Sequence, residues 1–237
     1  MYGALATKFS RYNSTTVASD ITAEGRGATK LLDRKTDEFF DKIWHTEYND
    51  FFKELREHFS DISFKYNTLQ KIDTSDHIAI YGDTDSLFLE FIKILESTGI
   101  DMSTPVKRIC DVIEYIAINV LQPYYEKWLV KYAEMRNCTN AQKFELEVIG
   151  RRIILCAKKK YVLSQLWKDG VYIADKKKLK VTGIELAKRG TPVFIKGIIT
   201  KFVNYMLSSK NFDPKMYFQL AYSVKNKIKN SHITEYA

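Results

Sequence analysis

Residues 78–91, I-A-I-Y-G-D-T-D-S-L-F-L-E-F, decide how the rest of the chain is read. Apolar and β-branched residues (Ile78, Ile80, Tyr81) run into a polar corner, and apolar residues resume at Leu87, Phe88 and Leu89. That is the pattern of a strand, a tight turn and a second strand, with Gly82 and Asp83 supplying the turn chemistry. The corner holds Asp83 and Asp85, two positions apart. On an extended chain, residues two apart point to one face. Two carboxylates so placed suit a hard, oxygen-seeking cation such as Mg²⁺. Asp and Gly are also ordinary turn residues, so the bare D-x-D spacing is open to a plain hairpin as well as to a metal-binding one.

The totals place this hairpin in a globular chain. With 237 residues, 45% of them hydrophobic, and 14 Phe and 15 Tyr, the chain is long enough for one large domain or two small ones. No apolar run approaches the ~18 residues of a membrane span, and the N-terminus lacks the pattern of a signal peptide. The three cysteines are widely spaced with no C-x-x-C, as in a protein of a reducing, cytoplasmic setting, and the four histidines show no metal-ligand spacing. Charge is uneven. From residue 151 onward there are 19 Lys and Arg against 5 Asp and Glu, a surplus of 14, so a total of +8 leaves the first 150 residues at −6. A basic half with interleaved aromatics fits a polyanion such as nucleic acid, and equally a solvated lysine-rich surface.

Periodicity organises the remainder. Residues 15–48 read as a long helix with apolar positions at Leu31, Leu32, Phe39, Phe40, Ile43 and Trp44. Within it, residues 25–30 (G-R-G-A-T-K) lack phosphate-loop spacing and follow no strand, which makes them helix interior or a kink. Residues 48–76 read as an amphipathic helix and a loop. Ser103, Thr104 and Pro105 open a helix whose stripe from Val106 to Val120 is core, and Pro123 is expected to end or kink it before a second amphipathic piece at 124–132. Residues 144–149 alternate apolar and acidic, as a half-buried strand does. Residues 152–166 are strand-like, with a turn at 168–170 and a return at 171–173. This reading places Lys158, Lys159, Lys160 and Tyr161 inside one strand, where three adjacent lysines are poor sheet chemistry unless an anion neutralises them. Two helices close the chain, the second capped by Asp213 with Pro214 at its first position.

Residues 81–86, Y-G-D-T-D-S, resemble motif C of the family B DNA polymerases, which forms the hairpin of the palm. Met1, Tyr2 and Gly3 resemble the last three positions of motif B, Asn-Ser-x-Tyr-Gly, on the fingers. Lys158, Lys159, Lys160 and Tyr161 are similar to the family's K-K-R-Y motif beside the primer–template duplex. Lys160 replaces the arginine and so lacks its forked, two-pronged contacts. Lys180, Gly183 and Glu185, followed by Thr191 and Pro192, resemble the palm-to-thumb junction of the phage-type members, and Glu147 fits the second acid of a palm strand. The landmarks occur in family order across nearly the whole chain.

The resemblance implies an α+β fold, an antiparallel palm sheet packed with long helices and followed by a mainly helical partial thumb. Residues 1–7 would end the fingers motif, 8–175 would form the palm with its catalytic hairpin at 77–91, and 176–237 the palm–thumb junction and partial thumb. It implies two-metal nucleotidyl transfer from dNTPs to a primer 3′-hydroxyl, with two Mg²⁺ ions or Mn²⁺ in their place. Asp85 would ligate metal directly and Asp83 would act from behind it, with Glu147 as a third acid. Tyr2 and Thr84 would lie at the nucleotide, and Lys158, Lys159, Lys160, Tyr161 and Lys180 at the DNA. Motif A, the fingers lysine and the exonuclease are missing from these 237 residues. The expected partners are therefore primer–template DNA, dNTP and an N-terminal polymerase fragment carrying those parts, with no membrane, in the cytoplasm of a host cell if viral. Two alternatives stay open: a palm–thumb remnant that grips duplex DNA without catalysis, and a non-functional gene fragment.

Overall fold

Helix α1 (Tyr2–Ala6) leads through a turn to Ser14, which starts the longest element of the chain. The Ser14 Oγ accepts from the Val17 amide at 3.4 Å and caps helix α2, Thr15–Glu38. The computed structural model describes residues 2–174, 178–208 and 213–230. They fall into two compact units, Met1–Leu146 and Glu147–Ala237.

In the first unit the long helix read from the sequence is present, but not as one uniform helix. After α2 the chain widens into a π-type turn at Phe39–Ile43 and continues as α3, Trp44–Glu47, then α4, Asn49–His58. The widened turn turns a run of aromatics inward. Phe39, Phe40 and Trp44 are fully buried, and the Phe39 ring lies 5.0 Å from Phe40 and 4.6 Å from Tyr124. Each such side chain contributes about 2–3 kcal/mol by leaving water. Three polar groups beside them are paired. The Trp44 indole N–H donates to Ser97 Oγ at 2.9 Å. The Thr36 hydroxyl donates to the Leu32 carbonyl at 2.7 Å, which leaves the Tyr125 O–H to donate to Thr36 at 2.8 Å. Burial pushes the Tyr125 phenol well above its ordinary range.

Strands β1 (Ala79–Gly82) and β2 (Leu87–Leu89) follow and pair antiparallel, with Gly82 opposite Leu87 and Tyr81 opposite Phe88. They make a two-stranded ribbon. Helix α5 (Phe91–Thr98) ends at Gly99, whose φ of 66 lets the chain reverse. Helices α6 (Val106–Ile116) and α7 (Gln122–Glu134) are joined by a second π-type turn at Ala117–Leu121. Pro123 does not end this helix. It sits in the first turn of α7, just past the widened turn, where its missing N–H and the bulk of its ring are least disruptive.

Among its described residues the second unit has a four-stranded antiparallel sheet and two α-helices. Strand β4 (Lys160–Lys168) pairs along one side with β3 (Val148–Ala157); on the other side lie β5 (Val171–Tyr172) and β6 (Leu179–Thr182). Being central, β4 buries Tyr161, Val162, Leu163 and Trp167. Helix α8 (Val193–Ser208) buries Val203 and places its Leu207 carbonyl 3.3 Å from an Arg152 guanidinium nitrogen. Helix α9 is Pro214–Asn230, and Asp213 caps it by accepting from the Lys215 amide at 2.9 Å. The chain is thus α+β, with antiparallel sheets and long helices.

Two readings of strands need correction. Residues 144–147 alternate in exposure as expected but join no ladder, and pairing begins only at Val148. Lys158 and Lys159 are not inside a strand: they form the tight turn between β3 and β4, with Lys159 at a φ of 60. Lys158 and Lys159 are thus exposed turn residues rather than members of a paired strand.

Candidate functional site

The corner between β1 and β2 is held by its own backbone. The Asp83 amide donates to the Ser86 carbonyl at 2.9 Å. The Asp83 Oδ1 accepts from the Thr84 amide at 2.8 Å and from the Thr84 hydroxyl at 3.3 Å. Residues 84 and 85 bend, so the rule for an extended chain does not set their directions. The two carboxylates differ accordingly. Asp83 is half-buried and turned back into the corner, whereas Asp85 is exposed and stands outside these bonds.

Helix α2 carries the corner. The Thr29 hydroxyl hydrogen is shared between the Gly25 carbonyl at 3.0 Å and the Thr84 carbonyl at 3.1 Å. Gly25 allows this approach, because a Cβ there would lie 3.0 Å from the Thr84 carbonyl oxygen. At the base of the ribbon, Asp37 Oδ1 accepts from the Ile78 amide at 2.8 Å, and its Oδ2 meets His77 Nδ1 at 2.5 Å. His77 holds a φ of 55, in the left-handed region that non-glycine residues enter uncommonly, histidine more often than most. The bond from Asp37, with its charge behind it, holds the His77 imidazolium above its ordinary pKa; Asp33 and Asp76 add to the same field. Burial, then the charge of Asp37, raises Asp33, while His77 and Arg34 oppose the shift.

The other residues singled out from the sequence lie elsewhere. Tyr2 opens α1, but its side chain and all of Met1 lie outside the described residues. Glu147 belongs to the second unit, where its carboxylate pairs with Lys180 Nζ at 2.7 Å. A residue read as an acid for metal and one read as a cation for DNA thus engage each other. Lys158, Lys159 and Lys160 are exposed, and Tyr161 is buried in β4. Glycine at 183, with a φ of 66, backs that turn, since a Cβ there would fall 2.0 Å from the Lys159 carbonyl oxygen. Glu185 pairs with Lys188 and accepts from Thr191 at 3.4 Å.

Sequence reading missed Thr29, Asp37 and His77. Gly25 was the available signal, because a glycine inside a helix costs about 1 kcal/mol against alanine and leaves room where another backbone comes close. The donor set at the corner, carboxylate oxygens and nothing soft, fits a hard divalent cation of the Mg²⁺ or Mn²⁺ type, which takes one or two protein carboxylates and draws its remaining ligands from water and phosphate. Among the described residues no group of three His, Cys, Asp or Glu side chains could hold an ion by itself, and no helix is long and apolar enough to cross a membrane.

The model of DNA polymerase family B matches residues 1–120, slightly more than half the chain and including the acidic corner. Over 216 residues the chain is 23% identical to the DNA-directed DNA polymerase of Escherichia phage RB69, a match covering 87% of this chain and 21% of that polymerase. Over 254 residues it is 24% identical to the DNA-directed DNA polymerase of Enterobacteria phage T4, covering 98% of this chain and 25% of that polymerase. The chain spans a quarter or less of the length of the relatives it matches.

Proposed function

The chain belongs to DNA polymerase family B, and from that premise we propose that it is the palm and partial thumb of a DNA-directed DNA polymerase, the part that brings motif C to the active site in viral DNA replication. The observation that carries this reading is the acidic corner, Asp83-Thr84-Asp85, at the tip of a ribbon inside the matched region. The corner presents the exposed Asp85 carboxylate for a divalent cation, and Asp83 keeps the backbone beneath it in shape. Bound Mg²⁺ would supply activation of a primer 3′-hydroxyl and neutralisation of the dNTP triphosphate. Tyr2 and Thr84 would face the nucleotide. Lys158 and Lys159 on an exposed turn and Lys160 at the start of β4, followed by the buried Tyr161, would meet the phosphates of the primer–template duplex, with Lys180 in the same sheet. A part for Glu147 at the metal rests on the resemblance, and requires its carboxylate to leave Lys180. In this reading residues 1–7 end the fingers motif, 8–175 form the palm and 176–237 the palm–thumb junction and partial thumb, in the cytoplasm of a host cell.

Extension needs an N-terminal partner that brings motif A, the fingers lysine and the exonuclease, because a corner with two carboxylates holds Mg²⁺ weakly. Mixing this chain with an N-terminal polymerase piece ending at Asn-Ser should restore Mg²⁺-dependent extension of a primed template. Robust extension by the chain alone, free of contaminating polymerase, would overturn the need for a partner. A soluble complex without extension would favour a duplex-binding remnant.

A further inference from the structure

Gly25, Thr29, Asp33 and Asp37 recur at every fourth position of α2 and so lie along one row of the helix. That row runs the length of the hairpin. Its first half meets the tip, where Thr29 donates to the Thr84 carbonyl and Gly25 leaves room for it. Its last member meets the base, where Asp37 takes the Ile78 amide and the His77 ring. The ribbon needs this support, because two strands alone are marginal in water, and its entry residue, His77, sits in an unfavourable backbone region. A catalytic carboxylate, moreover, must be held to within about 0.5 Å to be useful.

We propose that Asp37 and Thr29 are positioning residues for the acidic corner: together they splint the ribbon to helix α2 at both ends and so fix where Asp83 and Asp85 meet a divalent cation. This rests on the reading of Asp85 as a metal ligand, but the splint itself does not. Both residues act through hydrogen bonds to the ribbon, most of them to its backbone, so neither needs to touch metal, nucleotide or DNA. Asp33, between them on the same row, adds negative charge beside His77.

The test uses the full 237-residue chain and four variants, Asp37→Ala, Asp37→Asn, Thr29→Val and Asp85→Ala. Amide hydrogen exchange of residues 78–90 reads the splint, exchange in α6 and far-UV circular dichroism read the fold, and Mn²⁺ titration followed by electron paramagnetic resonance reads the corner. Asp37→Ala should speed exchange across 78–90 about tenfold or more, as expected for loss of a hydrogen bond to a charged acceptor, with α6 unchanged, and should weaken Mn²⁺ binding severalfold. Asp37→Asn keeps a carbonyl for the Ile78 amide and should recover most of both losses. Thr29→Val, nearly isosteric, should loosen the tip but not the base. A loosened ribbon that binds Mn²⁺ as tightly as the parent overturns the positioning role, because a merely structural anchor would behave so. If Asp85→Ala leaves Mn²⁺ binding unchanged, the metal reading of the corner is what fails. In that case unchanged exchange at 78–90 in Asp37→Ala overturns the splint, and accelerated exchange upholds it.

Discussion

Asp83 and Asp85 sit two residues apart in different chemical situations, and the difference assigns them different consequences. Asp83 spends one oxygen on the Thr84 amide and hydroxyl, while Asp85 is exposed beyond the corner. In a reconstituted polymerase, Asp85→Ala should abolish measurable primer extension. Asp83→Ala should leave a reduced but measurable rate, because the corner loses a brace and a nearby charge while Asp85 stays. Equal losses in single-turnover extension would show that the roles are divided wrongly. His77 makes a prediction in pH. Its folded pKa is raised above the ordinary 6.5 by Asp37. Protonation is therefore favoured in the folded state, so its stabilising contribution is complete below the ordinary value and fades as pH climbs through the raised one. A two-dimensional NMR titration should find the His77 ring titrating higher than the same histidine in a denatured chain, and Asp37→Asn should bring it back down.

At the scale of elements, two glycines in one helix separate support from tolerance. Both would gain about 1 kcal/mol of helix propensity on conversion to alanine. At Gly27 the new methyl group would overlap the Tyr132 hydroxyl, 1.9 Å away, yet that hydroxyl is the far end of a half-buried side chain and can swing outward by giving up its bonds to Glu24, which offsets the propensity gain. At Gly25 the obstacle is the backbone carbonyl of Thr84, which cannot move without moving the acidic corner. Gly27→Ala should leave thermal stability unchanged or raise it slightly. Gly25→Ala should shift the amide resonances of residues 83–86 and weaken Mn²⁺ binding even where the melting temperature barely changes. The sequence itself identifies residues 25–30 as helix interior or a kink, but not the neighbour that makes Gly25 necessary, because that neighbour lies 59 positions away in the chain. The ribbon, the two closing helices and the β4–β5 turn were legible for the opposite reason: local turn and cap residues mark them. The turn at Lys158 and Lys159 carried no such mark. It lacks Gly, Asn or Pro, and the turn at Lys159, where φ is positive, is accommodated by Gly183, in the bend just past β6. Asn enters that backbone region readily, so Lys159→Asn should keep the hairpin and remove the charge. Duplex binding by this variant should show a salt slope shallower by about 0.9, the value of one phosphate contact. An unchanged slope in a fluorescence-anisotropy titration would take Lys159 off the DNA.

Over the whole molecule, charge and chemistry are dealt to different units. The acidic corner and its helix lie in the unit ending at Leu146, and the lysine turn lies in the unit that begins at Glu147. The positive surplus from residue 151 onward belongs to the second unit, so a chain cut near residue 146 should lose most duplex affinity while keeping the corner, provided each half remains folded by circular dichroism. The small ribbon of the first unit also has a place in time. Its anchors, Asp37 and Thr29, are separated from their partners by 41 and 55 residues, and closing loops of that length comes late unless the closed state is already worth much. Two short strands are not. Helix α2 and its aromatic floor should form in the transition state, and the ribbon should settle on them afterwards. Loosening Asp37 or Thr29 would then leave the refolding rate nearly untouched and appear almost entirely as faster unfolding in a stopped-flow chevron, so the acidic corner would be the last part of its unit to arrive and the first to leave.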